Sequence, residues 1–262
     1  MKIFFYIVIG LFSCPVMADK TEFNVEREWL ENFSVDSSAL TGNKLVVDVT
    51  SGAINVTGHP GSEISAQVNI HWWGKRESDL VQAAKELQLV VEQTANGYLI
   101  FLETPFRDRS YDYFTRSRDY EFRYDITLQV PRNLDLELHT VMDGDVRLNG
   151  ISSNVEIENV TGNVLLDNVL AAGTVKTVSG DIVLGFRRTP DLDLSLYSRF
   201  GEMLCAFDYR MLPGPASPAV VREGSLTRYT KDYFSNIRIA RGGMNMKLES
   251  LSGNIIIQDK SI

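Results

Sequence analysis

The chain lacks most of what a common enzyme class requires. It holds three histidines, His59, His71 and His139, and two cysteines among 262 residues, and none of them stands at a metal-ligand spacing or beside a nucleophile motif. G-x-S-x-G, H-E-x-x-H, a cysteine pair and a phosphate-binding glycine loop are all missing, so no catalytic residue, metal ligand or cofactor is indicated. Basic residues are the minority. The 26 Lys and Arg against 34 Asp and Glu give a net charge of −8, which disfavours nucleic acid and anionic lipid as partners over the whole surface. Beyond the first residues no apolar run is long enough to cross a bilayer as a helix.

The N-terminus differs from the rest. Lys2 precedes an apolar run from Ile3 to Phe12, and Val16 and Ala18 suit cleavage before Asp19; ten apolar residues are too few for a membrane span, so residues 1–18 read as a secretory signal. Leu11-Phe12-Ser13-Cys14 also reads as a lipoprotein box, which would leave an acylated Cys14 and thereby a membrane tether. With Cys14 removed, Cys205 stands alone and no internal disulfide is possible. Loss of Lys2 takes the net charge to −9. The expectation is an exported protein, periplasmic or in the cell envelope, with a lipoprotein form as the alternative.

What the chain does contain is a repeated phrase. Ser51-Gly52-Ala53-Ile54-Asn55-Val56 recurs as Asp143-Gly144-Asp145-Val146-Arg147-Leu148, Thr161-Gly162-Asn163-Val164-Leu165-Leu166, Ser179-Gly180-Asp181-Ile182-Val183-Leu184, Phe200-Gly201-Glu202-Met203-Leu204-Cys205 and Ser252-Gly253-Asn254-Ile255-Ile256-Ile257. From Gly144 the next glycines follow at 18, 18 and 21 residues. Gly52, Gly144, Gly162, Gly180, Gly201 and Gly253 suit a turn with positive φ. The second and fourth residues after each glycine are apolar, the alternation of a strand with one buried face.

Seven and five residues before glycine lies a second alternating pair: Leu45/Val47, Val155/Ile157, Leu194/Leu196 and Met246/Leu248, with Gly173/Val175 leaving a gap. Before Gly144 the register slips by one, which predicts a bulge between Leu138 and Gly144. Each period therefore holds two strands and two turns. A unit so small cannot bury its own apolar face, so units must stack, about 4.8 Å apart, into a short β-solenoid or β-roll.

Residues 19–130 read as a β-rich N-terminal part with strands at 44–49, 62–73, 98–103 and 121–130 and one helix from Ser78, as cap, to Glu86. Residues 131–262 read as the repeat body, with a loop insertion near 206–241. The third residue after glycine points outward, and Leu165, Val183, Leu204 and Ile256 would form an exposed apolar strip. Such a strip needs cover, from residues 19–130 or from a protein partner.

The phrases "SGAINVTG", "DGDVRL", "TGNVLL", "SGDIVL" and "LSGNIII", behind an exported N-terminus, resemble the bacterial family named putative adhesin, a domain of unknown function built from Ser-Gly-Asp-Ile type repeats. The resemblance covers nearly the whole chain after residue 18. It implies a cell-envelope β-solenoid without catalytic residues. Phe200 and Glu202 depart from the repeat, so that unit is expected to be distorted.

Candidate ligand contacts lie in the stretch 105–125, where Arg107, Arg109, Arg116 and Arg118 alternate with Tyr111 and Tyr113. Guanidinium groups pair with carboxylate or phosphate and aromatic rings stack on sugars, so this stretch fits an acidic envelope polysaccharide or a lipid headgroup; the other reading is a hairpin whose arginines pair with Asp108, Asp112, Asp119, Glu121 and Asp125. Asp143, Asp145 and Asp181 read as turn residues rather than calcium ligands, since one carboxylate per unit is too few oxygens. Cys205 fills an inward slot held elsewhere by Leu, Val or Ile. Three functions follow: a non-catalytic envelope binding or scaffolding protein, a β-helical polysaccharide-active enzyme, and a periplasmic stress accessory that binds a protein. The regular outward Leu165, Val183 and Leu204 favour the first over the second.

Overall fold

The computed structural model describes residues 25–36, 43–105, 119–213, 221–223, 226–228 and 234–261. The described residues are mostly β with one helix. The elements of the first half are β1 (Val25–Asp36), β2 (Lys44–Ser51), β3 (Ile54–His59), β4 (Glu63–Gly74), α1 (Glu77–Glu86), β5 (Gln88–Thr94), β6 (Gly97–Glu103) and β7 (Tyr120–Pro131). The second half holds β8 (Asp135–Met142), β9 (Val146–Asn149), β10 (Val155–Thr161), β11 (Val164–Asp167), β12 (Gly173–Ser179), β13 (Ile182–Phe186), β14 (Leu192–Ser198) and β15 (Met203–Cys205). It closes with β16 (Tyr209–Met211), β17 (Val221–Glu223), β18 (Leu226–Arg228), β19 (Phe234–Ile239), β20 (Met244–Ser252) and β21 (Ile255–Asp259).

Two large mixed sheets carry the fold. The first runs β1-β4-β7-β3-β9-β11-β13-β21-β15 and the second β16-β19-β14-β20-β12-β10-β8-β2-β6-β5. The strand before each repeat glycine lies in the second sheet and the strand after it in the first, so each unit contributes one strand to both. Neighbouring units pair in parallel with like positions opposed: Val155 with Gly173, Val164 with Ile182, Ile182 with Ile255. Inward residues of the two sheets meet in one core that includes Leu45, Val56, Leu136, Leu148, Ile157, Val164, Leu184 and Ile255. The sheets run unbroken past residue 130, because β2, β3, β6 and β7 share them with the repeat strands.

The order of units in space is not their order in the chain. Glycines stack as Gly52, Gly144, Gly162, Gly180, Gly253 and Gly201, so β20–β21, the last strands of the chain, are wedged between β12–β13 and β14–β15. The predicted bulge is also present: Thr140 stands opposite Asn159, yet one additional residue separates it from its glycine, and Asp143 takes φ 52° there.

The glycines are required for two reasons. Gly52, Gly162 and Gly180 adopt φ of 131°, 124° and 153°, which an L-residue with a side chain avoids. Gly144, Gly201 and Gly253 are not in that range, which corrects the expectation of a positive φ at every copy. At all six, a Cβ atom would overlap a backbone carbonyl of a neighbouring strand or unit, as at Gly162 against Gly144 and at Gly52 against Tyr124 of β7. Gly173, a gap in the sequence pattern, is another such close approach, against Val155.

The N-terminal strands extend both sheets rather than lie across them, β1, β4 and β7 the first and β6 and β5 the second. β4 pairs antiparallel with β7 and β1 with β4; β1 had no sequence signal. Helix α1 begins one residue before Ser78 with Arg76 at its cap, where the Asp79 carboxylate accepts the Arg76 backbone N–H at 2.9 Å and its guanidinium at 3.1 Å. Ser78 is therefore not the cap; Asp79 in the first turn binds back to the cap residue instead. Leu80 and Ala83 turn into the core. Trp72 is buried and donates to the Tyr124 hydroxyl at 3.2 Å, while Trp73 faces outward and stacks on His71 at 5.7 Å. At the other end, the segment expected to leave as a loop returns as structure: β19 pairs antiparallel with β14, and β16 with β19.

Candidate binding face

Two rows of side-chain hydrogen bonds hold the units in register. Three residues before the glycine, an inward position carries a small polar residue: Asn159, Thr177, Ser198 and Ser250, with Thr140 four before Gly144. Each is buried. Thr140 donates to Gly52 O at 3.0 Å, Asn159 to Gly144 O at 3.2 Å, Thr177 to Gly162 O at 3.4 Å, Ser250 to Gly180 O at 3.1 Å and Ser198 to Gly253 O at 2.7 Å. A carbonyl at a corner that the sheets leave unpaired is thereby satisfied.

The second row uses the residue after glycine. Asp145 accepts from the Asn163 amide N–H at 2.8 Å, Asn163 from Asp181 at 2.9 Å, Asp181 from Asn254 at 2.7 Å and Asn254 from Glu202 at 2.9 Å. Asx at this position is a connector between units, which accounts for its recurrence without a metal. Glu202 departs from Asx because its unit is the last in the stack, with no further amide to receive; the expected distortion of this unit is a chain end of the ladder. The first row was legible only as polar residues in otherwise apolar slots.

The outward surfaces of the two sheets differ. On the second sheet charges pair along the units: Lys44 with Glu137, Lys176 with Glu158 at 2.8 Å and Lys247 with Glu249 at 2.7 Å. Hydrogen bonds from Lys44 and Lys176 hold the Glu137 and Glu158 carboxyls below their ordinary values. His139 sits among them, 3.0 Å from Glu137, and His59 closes its own turn by accepting from Gly61 N–H at 2.9 Å. Neither adjoins a nucleophile.

On the first sheet Arg147, Leu165, Val183, Ile256 and Leu204 stand in cross-strand register on β9, β11, β13, β21 and β15. Leu165, Val183 and Ile256 are half-buried and Leu204 is 49% exposed. The cover expected from residues 19–130 is not supplied by their described strands, because β1, β4 and β7 join the far end of this sheet beside β3. There the outward residues turn polar: Asn32, Ser34, Ser65, Gln67, Thr127 and Gln129 line a shallow hollow of about 530 Å³.

The apolar row ends at an open edge. Met203 and Cys205, the inward residues of β15, are only partly buried, whereas Ile255 and Ile257 beside them are fully buried. The Cys205 thiol donates weakly to Phe207 O at 3.5 Å, and burial pushes its pKa up, as befits a core thiol rather than a nucleophile. Phe200 is 72% exposed with the Arg199 guanidinium 5.3 Å from its ring centre. Arg107, Arg109, Tyr111, Tyr113, Arg116, Arg118 and Cys14 lie outside the described residues.

No family model matches the chain, and no curated protein matches it. Among solved structures, the fold is similar to that of a putative cell adhesion protein from Clostridium sporogenes ATCC 15579, with TM-score 0.52 and 12% identity over 89% of this chain and 100% of that one. A putative adhesin from Bacteroides fragilis NCTC 9343 aligns at TM-score 0.28 and 13% identity, over 88% and 97% of the two chains. A putative lipid binding protein from Parabacteroides distasonis ATCC 8503 aligns at TM-score 0.26 and 12% identity, over 67% and 65%. At such identities the likeness is one of fold alone, and the first of the three carries it. Its name agrees in kind with the adhesin resemblance of the repeats.

Proposed function

We propose that this chain is an exported, non-catalytic binding or scaffolding protein of the cell envelope, and that its outer first-sheet face is the working surface. In this reading the stacked two-strand units form a short β-solenoid, residues 1–18 direct export, and the body serves as a rigid support. The observation that carries the proposal is the apolar row of Leu165, Val183, Ile256 and Leu204, in register over four strands and facing outward. A monomeric protein seldom leaves such a row uncovered without a partner for it. The partner fitted to this row is an envelope protein, since an aliphatic surface offers a sugar neither hydrogen bonds nor a ring to stack on.

The test uses residues 19–262, wild type and with Leu165→Glu and Val183→Glu together. Both are incubated with envelope proteins, peptidoglycan, lipopolysaccharide and acidic glycans, and bound material and new products are identified by mass spectrometry. The expected result is saturable retention of one envelope protein, lost in the double variant while its melting temperature is kept. Retention unaffected by the glutamates would reject the face, and a new glycan product would overturn the non-catalytic reading.

A further inference from the structure

The stack of units ends differently on its two sheets. On the second sheet β19 continues past β14. On the first sheet β15 is the end, and among the described residues no strand pairs with its outer edge. The Glu202 carbonyl accepts from Ile255 N–H at 2.8 Å and the Ala206 amide donates to Ile257 at 2.9 Å. Backbone direction alternates along a strand, so Leu204 also faces β21, and the N–H and C=O groups of Met203 and Cys205 face the open edge.

Everything that joins one unit to the next stops here. Glu202 takes the last amide contact of the Asx row and, unlike Asp145, Asn163, Asp181 and Asn254, passes none on. Met203 and Cys205 leave the core partly open on this side, and Phe200 and Leu204 expose apolar surface next to it. The fold also accepts units out of chain order, since β20–β21 pairs in parallel with strands from distant parts of the chain on both sides.

We infer that the outer edge of β15 is a strand-acceptor site, completed by an extended segment of a partner protein that reads Gly-Asn/Asp-apolar-x-apolar and adds in parallel. This rests on the proposed binding role and names the partner's chemistry. Its Asx amide N–H would meet the Glu202 carboxylate, its two alternating apolar residues would close the core over Met203 and Cys205, and its outward residue would lengthen the apolar row beyond Leu204. Main-chain pairing supplies affinity and the alternate side chains supply selectivity, as in other strand additions.

The probe is a fluorescent peptide, Ser-Gly-Asn-Ile-Ile-Ile-Gln-Asp, identical to residues 252–259, with a control in which the first and third Ile are Asp. Anisotropy with the purified protein should show saturable binding of the first peptide and none of the control. Met203→Pro removes an amide that faces only the open edge, a place where proline is tolerated, and also the partly buried Met side chain; it should weaken binding about tenfold or more beyond Met203→Ala, which loses the side chain and keeps the amide. Glu202→Ala, an exposed change that cannot unfold the core, should weaken binding as well.

No saturable binding, or equal binding to wild type, Met203→Pro and Glu202→Ala, overturns the assignment. Self-association of the wild type that Met203→Pro abolishes, without peptide binding, would make the occupant a second copy and also overturn it. Envelope-protein retention that is lost in Leu165→Glu/Val183→Glu but kept in Met203→Pro would reject the edge while leaving the face intact.

Discussion

The Ser198 hydroxyl donates to the Gly253 carbonyl at 2.7 Å across 55 residues of sequence. The same bond joins Ser250 to Gly180 at 3.1 Å, so the last strand pair is held on both sides by the contact that joins consecutive units elsewhere. Ser198 further accepts from the Gly201 amide at 2.9 Å. Replacing it with Ala leaves a half-buried carbonyl and a half-buried amide without this partner.

From this bond follows a graded prediction. Ser198→Ala should lower unfolding free energy by about 1–3 kcal/mol. Thr177→Val should cost less than about 1 kcal/mol, because Gly162 O keeps a second donor, the Asn159 amide at 2.9 Å. Urea denaturation of both variants decides it, and equal losses would refute the ladder assignment.

Gly162→Ala combines a strained φ with overlap on the Gly144 carbonyl, and should cost at least about 3 kcal/mol. Gly150 has φ 69° but its nearest neighbour to an added Cβ is Gly58 O at 3.7 Å, so Gly150→Ala should cost only about 1–2 kcal/mol. The difference isolates the close approach from the backbone strain.

Adjacent residues on β11 should behave oppositely. Leu166 is buried and Leu166→Ala should cost about 2–5 kcal/mol; Leu165 faces outward, and Leu165→Glu should stay within about 1 kcal/mol of wild type. A large loss at Leu165 in the isolated protein would mean that the row is covered from within the chain.

Acid should loosen the β14 end. Arg238 donates to the Asp193 carboxylate at 2.5 and 2.7 Å and through these bonds holds its pKa below the ordinary value; Arg241 does the same for Asp191. A carboxylate depressed in the folded state contributes stability above its unfolded pKa of about 4, and that contribution is lost as pH falls through the lower folded value. Asp193→Asn should therefore be less stable than wild type at neutral pH and show a shallower loss below about pH 4. Parallel curves for the two proteins would count against this pair.

Chelation should change nothing in the repeat body. The inner Oδ1 atoms of Asp145, Asn163 and Asp181 are each engaged by the next unit's amide, so melting with excess chelator and with millimolar calcium should coincide. A calcium-dependent rise would show that these carboxylates do more than connect units.

The repeat glycines, the alternating apolar pairs and the bulge before Gly144 were legible because each is written in residues two or three apart. Positive φ, a turn and a half-buried strand are local demands, and local sequence answers them. The Arg and Tyr stretch from Arg107 to Arg118 gave the clearest ligand signal and lies outside the described residues, so the binding face had to be recognised from Leu165, Val183 and Leu204 instead.

Tertiary structure alone decided which unit lies beside which. The units present similar edges and glycine corners, so the repeat pattern cannot state that Gly253 stands between Gly180 and Gly201. That order shows only in the non-local pairing, where β20 lies between β12 and β14 and β21 between β13 and β15. For the same reason β1 and β19 found their strands only through their partners, and β15, left at the end, keeps an edge that nothing in its own three residues announces.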